Sequence, residues 1–490
     1  MPPMKLLVLL LSIAIPWWAG VMWARLMLPR QLPGGFAIAI GAGYLIGMMI
    51  TTNMLRLLGM ASMGLEFWTT LFLIAAVGLA ARGLCLHFGE NAARVSLVEH
   101  RTGAVEWIIP SIMLLVMAAY YWVLANELLS RPLYAWDAWM NWAPKAIIWF
   151  NLDNLAPFVS PKDWLAAGAQ SDVHTLGNYQ AWRYPESVPL QILWGMMALG
   201  ETRNPLLYLP WLLVALNLTL AFYGFMRARE IPAPICIIFS CALASVPYLN
   251  VHTVLAGYAD IWLCACFGIA ALALAQWHKQ RDRGLALLCA LFALSCLQLK
   301  VPGIIFGGTI IALLAALTLP LASAVKWCAA LAGCLAVVFV MAIGLDLQIP
   351  GIGSLEVSAR VISLPYLGRY ELTFHPVHTE ALEALFSMLS WNLLWYLAIL
   401  AALMQSSNAF RSPQSSIDLA VLLLTGSILF FIFFFTIRYQ SLLNYATFNR
   451  AVLYLLLPAS ALIASVGCSY LAVAPRNRAA QEGTEKLTCG

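Results

Sequence analysis

Charge is scarce in this chain. Only 10% of its 490 residues are Asp, Glu, Lys or Arg, against about 25% in an ordinary soluble domain. That excludes a conventional soluble globule. No run of Lys and Arg is dense enough for a nucleic-acid surface, so nucleic acid is not an expected partner. No Gly-rich phosphate loop and no Gly-x-Ser-x-Gly elbow occur, which argues against cytoplasmic nucleotide chemistry and serine-hydrolase chemistry. There is no Cys-x-x-Cys pair and no zinc-ligand spacing. Nine of the eleven cysteines fall inside apolar runs, Cys85 and Cys489 being the exceptions, so no disulfide across the longer loops is expected.

What the chain has in abundance is apolar length. Hydrophobic residues make up 62%, and runs of roughly 18 or more suffice to cross a bilayer. The runs are continuous rather than alternating, which selects helices over a β-barrel. The fold class is therefore all-α, a polytopic transmembrane helix bundle. Candidate spans are 6–24, 35–53, 67–83, 107–126, 205–225, 231–249, 254–276, 284–299, 302–321, 327–346, 386–405, 418–437 and 451–470. That makes about 13 helices. Short gaps at 250–253 and 300–301 read as tight turns between antiparallel neighbours. Trp17, Trp18 and Trp23 are too bulky for a signal-cleavage site, so the first run reads as a membrane helix.

Orientation follows from basic residues near short connections, which mark the cytoplasmic side. Thirteen crossings place Arg25, Arg30, Arg82, Arg94, Arg101, Arg227, Arg229, Lys279, Arg281, Arg283, Arg476, Arg478 and Lys486 together on that side. Two longer loops, 127–204 and 347–385, then fall outside and should bear juxtamembrane helices. Long outer loops are often functional. Three regions result: N-terminal transmembrane helices 1–104, a module 105–470, and a polar tail 471–490 with the composition of a disordered segment.

Asp137 is the most informative single residue. It lies in Trp136-Asp137-Ala138-Trp139-Met140-Asn141-Trp142-Ala143-Pro144-Lys145, just after a membrane-length run. A carboxylate at a membrane surface among tryptophans is costly unless it is used. Over 137–150, helical spacing sets Asp137, Asn141 and Lys145 on one stripe, with Trp139, Trp142, Ala146 and Trp149 on another. The Trp stripe is expected to bed in the headgroup layer. Pro144 should kink this element or mark its true start. Asp is also a good N-cap residue, so simple capping competes with catalysis.

The remaining charges of interest stand near span ends. Arg183 and Glu186 flank Tyr184-Pro185; Arg183 suits a phosphate, and Glu186 a hydroxyl or merely a surface turn. Asp260 opens a span after Gly257-Tyr258-Ala259 and serves either function or snorkelling. Lys300 is the lone charge in a stretch of roughly forty residues, fit for a phosphate or an interfacial anchor. The second outer loop holds Arg360, Arg369, His375 and His378; Pro376 between the histidines argues against a helical metal site. Arg369 beside Tyr366 and Tyr370 suits a sugar or pyrophosphate. Arg438, with Tyr439, and Arg450, after Asn449, are further phosphate candidates that also serve as headgroup anchors.

With these segments in place, the chain resembles the GT-C superfamily of integral membrane glycosyltransferases. The resemblance rests on Trp136-Asp137-Ala138-Trp139 through Lys145-Ala146, Tyr184-Pro185 before Val188-Pro189-Leu190, Gly257-Tyr258-Ala259-Asp260, and Asn449-Arg450 before Pro458, in that order over about 105–470. Three features depart from the family pattern: three extra helices precede the one that leads into the first outer loop, Lys300 has no acidic neighbour in sequence, and no second acid adjoins Asp137. The resemblance implies a bacterial plasma-membrane enzyme with an extracytoplasmic active site. Its donor would be a polyprenyl-phosphate-linked sugar, and its acceptor a glycan, lipid or protein. Asp137 would be the general base. Lys145, Arg183, Tyr184, Glu186, Asp260, Lys300, Arg369, Arg438 and Arg450 would form the substrate-binding set. No metal ligand is assigned and no cofactor is required, although the chemistry leaves room for a divalent cation.

Three other readings stay open. A lipid-linked glycan transporter or flippase would use the same charges and show repeats and broken helices near the midplane; no repeat is visible in the sequence. An O-antigen ligase-like or polymerase-like enzyme would work through the 347–385 loop. A subunit without chemistry is the third.

Overall fold

The structure is a computed structural model describing residues 2–87, 103–168, 172–319, 340–341, 343–349, 353–365, 368–405, 407 and 410–471. It is a polytopic helix bundle. Among the described residues, seven helices are long and apolar enough to cross a membrane, or nine if each of two bent pairs is one span. Most of the expected 327–346 span, Arg94, Arg101, Tyr366 and the tail beyond Leu471 lie outside the described residues.

Helices α1 (Pro3–Met27), α2 (Gly35–Met60) and α3 (Phe67–His87) open the chain, followed by α4 (Ile108–Ser130). Glycine lets α1 and α2 touch backbone to backbone: a Cβ on Gly20 would stand 1.9 Å from the Gly43 carbonyl oxygen. Small residues serve this purpose where lipid supplies no hydrophobic drive between helices. These helices share one core with the rest. Trp194 Nε1 donates to the Ser12 carbonyl at 2.8 Å, and Tyr44 stacks on Trp262. The boundary expected at residue 104 therefore separates no cores.

The first long loop carries α5 (Ala143–Leu152), α6 (Pro161–Ala167) and α7 (Ser187–Leu199). Helix α7 was not expected. At 13 residues it is too short to span, yet it is buried along most of its length. Then come α8 (Leu209–Ala228), α9 (Ala233–Ala244), α10 (Pro247–Val254), α11 (Asp260–Gln280), α12 (Arg283–Leu299) and α13 (Gly303–Thr318). Helix α11 is the axle of the bundle, buried on every side, with α8, α12, α13 and the helix Pro413–Phe435 around it.

Two helices expected to be continuous are broken. Helices α9 and α10 meet at 61°, with Pro247 starting the second, so 250–253 lies inside a helix and is not a turn. Likewise Ala446–Leu453 and Leu456–Leu471 meet at 52°. Proline lacks the N–H that would continue the helix, and Pro247 and Pro458 stand just past the two breaks. The expected helix at 386–405 starts later, at Leu394.

The second long loop holds a four-stranded antiparallel meander, which the sequence reading did not foresee. Its strands are β1 (Leu345–Ile349), β2 (Gly353–Val357), β3 (Val361–Leu364) and β4 (Gly368–Glu371), hydrogen-bonded in chain order. It adds a small cap to an otherwise helical fold.

The two ends of the bundle differ. One end gathers the short connections: Lys279 pairs with Glu230, and Arg281 Nη1 reaches the Leu317 carbonyl at 2.9 Å. The other end carries α5–α7, the start of α11 and the break at 454–455.

A charged centre at the loop end of the bundle

Asp137 sits on a helical turn that runs into a π-helical turn, Ala138–Trp142, before α5. Such turns re-aim side chains and recur at functional sites. Pro144 lies in the first turn of α5, so it starts that helix and does not kink it. The Asp137 side chain makes no capping bond to its own helix. Its Oδ2 accepts from Arg450 Nη1 at 2.6 Å, and its Oδ1 from Asn141 Nδ2 at 3.3 Å. Asn178 Nδ2 in turn donates to Asn141 Oδ1 at 2.9 Å, and the Asp137 amide donates to the Tyr258 hydroxyl at 3.2 Å. Carboxylate and backbone are thus held from both sides.

The expected tryptophan stripe is corrected. Trp142, Ala146 and Trp149 are buried in the protein core, while Trp136 and Trp139 are the exposed ones. Trp149 Nε1 donates to the Ala156 carbonyl at 2.9 Å. The π turn shifts the phase of the helix, so the spacing rule fails across it.

Lys145 also differs from expectation. Only 2% exposed, it donates to the carbonyls of Trp182 and Tyr184 at 2.9 and 3.2 Å. It braces the loop, its ammonium turned to these backbone carbonyls. Burial pulls its ammonium down to about 8, against the opposing charge of Glu186. Tyr184 packs against Trp142, and burial, helped by the charge of Asp137, raises its phenol. Glu186 pairs with Arg56 at 3.5 Å, a partner the sequence reading missed. Arg183 ends the 3₁₀ turn Ala181–Arg183 and is exposed.

A second ion pair lies next door. The first residue of α11, Asp260, is fully buried. Its Oδ1 accepts from Lys300 Nζ at 2.7 Å and from the Tyr454 hydroxyl at 2.6 Å. Asp260 Oδ2 and His252 Nδ1 are buried without a hydrogen-bond partner among the described residues. The turn into α11 needs Gly257: its φ is +86°, and a Cβ there would stand 2.5 Å from that of Ala138. Trp211 Nε1 pins the same turn by donating to the Tyr258 carbonyl at 2.7 Å. Tyr258, two residues before Asp260 in the same turn, packs under the Arg450 guanidinium at 4.9 Å, which sets the two pairs side by side. Lys300 closes the gap between α12 and α13, so its partner comes from 40 residues away in the chain.

Arg438 lies over the ring of Tyr370, joining the chain near Arg450 to β4. Arg369, on that strand, pairs with Glu356 at 3.0 Å and is well exposed. No contact joins it to Asp137 or Asp260 among the described residues, so it belongs to the sheet. His375 stacks on Tyr439, away from His378, which begins a separate short helix. No group of three or more His, Cys, Asp or Glu side chains converges as metal ligands among the described residues.

An open cleft of about 510 Å³ adjoins this centre, lined by Pro247, Tyr248, Val251 and residues 387–390. Tyr248 backs onto His252 and Trp391, and Trp391 donates to Asn449, the neighbour of Arg450. His252, Asn178 and Trp391 carried no signal in the sequence, being single polar or aromatic residues in apolar or loop surroundings.

Fold and site together define a polytopic helical membrane protein with two linked ion pairs at one end of its bundle. Compared with family models, curated proteins and solved structures, the chain matches none.

Proposed function

We propose that this chain is an integral membrane glycosyltransferase. It would move a sugar from a polyprenyl-phosphate donor to a glycan, lipid or protein acceptor, on the extracytoplasmic face of a bacterial plasma membrane. The observation that carries the reading is the Asp137 carboxylate, turned away from its own backbone and toward Arg450. The basic residues Lys279, Arg281 and Arg283, near short connections at the opposite end, support that face.

The acceptor oxygen attacks the anomeric carbon, its proton passes to Asp137, and the bond from that carbon to the phosphate oxygen breaks. The polyprenyl phosphate leaves with the electron pair. Attack from the far side inverts the anomeric centre. A positioned base contributes about 10²–10⁴ in rate. Arg450, Lys300 and Arg438 would stabilise the charge that grows on the leaving phosphate.

One observation favours a second reading, a lipid-linked substrate transporter. The two bent helix pairs both contribute to the charged centre, and broken helices are how transporters build sites. One experiment separates the two. Membranes carrying the protein are incubated with labelled polyprenyl-phosphate sugars and an envelope-glycan extract. Asp137→Asn should abolish transfer while insertion and yield stay normal. Full transfer in that variant ends the assignment of Asp137 as the base, no transfer by the wild type ends the glycosyltransferase reading, and movement of labelled lipid across the bilayer without transfer favours the transporter.

A further inference from the structure

We propose that Asp137 and an incoming phosphate compete for Arg450, so that the donor itself uncovers the base. The inference rests on the glycosyltransferase reading and adds to it a latch.

Three observations carry it. First, the contact is single. Arg450 gives one nitrogen, Nη1, to one oxygen, Asp137 Oδ2, and its remaining contact is with the face of Tyr258. A guanidinium has five N–H donors, and no other hydrogen bond occupies them among the described residues. A phosphate, with its oxygens spread for bidentate pairing, makes a better partner than one carboxylate oxygen. Second, both side chains are reachable: they are 24% and 13% exposed. Third, Asp137 does not depend on Arg450 for its place. Asn141 holds its other oxygen, Asn178 holds Asn141, and Tyr258 holds its amide. Withdrawal of the arginine therefore leaves the carboxylate aimed and without its counter-ion, free to take a proton.

Until phosphate arrives, the base is tied up and an acceptor hydroxyl or water meets an occupied carboxylate. The latch thus couples base activation to donor binding, and apparent donor affinity is reduced by the fraction of time it is closed.

The test is a binding titration of the purified full-length protein in detergent, with farnesyl phosphate and, separately, inorganic phosphate. Asp137→Asn removes the competitor and should tighten farnesyl phosphate on the order of tenfold, the gain for a latch closed about nine-tenths of the time. Arg450→Gln should weaken it by at least a similar factor. In the Arg450→Gln background, Asp137→Asn should do nothing, because its effect acts through the arginine. Arg450→Lys provides the same comparison should the glutamine variant fold poorly. Equal affinity in wild type and Asp137→Asn overturns the latch. So does a tightening that persists without Arg450, which would mark general charge repulsion. Binding that ignores Arg450 and Asp137 alike sinks the latch alone, whereas no farnesyl phosphate binding in any variant removes the glycosyltransferase reading with it. If inorganic phosphate follows the same pattern, the phosphate itself is the competitor; a pattern confined to farnesyl phosphate adds its lipid chain, and both outcomes support the competition.

Discussion

The bundle carries an arginine–aspartate pair at each end, and the two are built differently. At the end with the short connections, Arg229 offers both terminal nitrogens to both oxygens of Asp418, and adds Ser465 Oγ at 2.8 Å. Those side chains are 5% and 0% exposed. Every strong acceptor there is used and water is kept away. At the loop end, among the described residues, Arg450 meets Asp137 through a single hydrogen bond partly open to solvent, and one oxygen of Asp260 has no hydrogen-bond partner. A forked, sealed pair ties α8 to the helices Pro413–Phe435 and Leu456–Leu471 and is closed to solvent. A single-contact pair has donors and an oxygen in reserve. The same two residue types are a rivet at one end and an exchangeable contact at the other.

That contrast can be broken by substitution. The largest effect on stability is expected at the rivet. Asp418→Ala leaves a guanidinium buried without its partner, which costs about 3–5 kcal/mol. Thermal unfolding in detergent should show it as a large drop in midpoint or a loss of monodisperse protein. Asp137→Asn should unfold near the wild-type temperature, since Arg450 keeps access to solvent. Equal losses in the two variants would erase the distinction. Lys300→Met is intermediate. It strips one partner from a buried carboxylate that still has the Tyr454 hydroxyl, so about 3 kcal/mol is expected. A variant as stable as wild type would mean that Asp260 takes up its proton readily and the pair is not a fixed element.

The individual charges of this centre were legible, but their partnerships were not. Asp137, Asp260, Lys300 and Arg450 each stand out as an ionisable residue at the edge of an apolar run. Their pairing is tertiary: Asp137 and Arg450 are 313 residues apart, and nothing local encodes the meeting. Arg229 read as a mark of orientation because its partner, Asp418, stands 189 residues away in the chain, at the first position of a candidate span. The bundle itself followed from run length. The breaks at 245–246 and 454–455 did not, because hydropathy stays high across them. The meander at 345–371 escaped notice because strands of four and five residues with mixed polarity carry almost no periodic signal. Helix α7 escaped for the opposite reason: its apolar run is too short to span, and a run of that size is more often buried in protein. The π turn at 138–142 hid the true facing of Trp142 and Trp149, because helical spacing assumes a constant 3.6 residues per turn.

The smallest expected effect concerns Lys145, the brace between α5 and the loop holding Tyr184. Its ammonium is held down to about 8 by burial, from an ordinary value of 10.5. A folded value below the unfolded one means that the native state sheds its proton first. Stability should then rise with pH above about 8, since the unfolded state binds more protons there, and level off near the ordinary value. Between pH 8 and 9 the gain is about 1 kcal/mol, given about 1.4 kcal/mol per pH unit for one proton. Denaturant melts across that range should show the slope in the wild type and lose it in Lys145→Met. Because Lys145 touches backbone carbonyls and not the ion pairs, the methionine variant should leave the affinity contrast between wild type and Asp137→Asn in place. A methionine variant that keeps the slope would place its origin in another group; one that loses the affinity contrast would make the brace part of the latch.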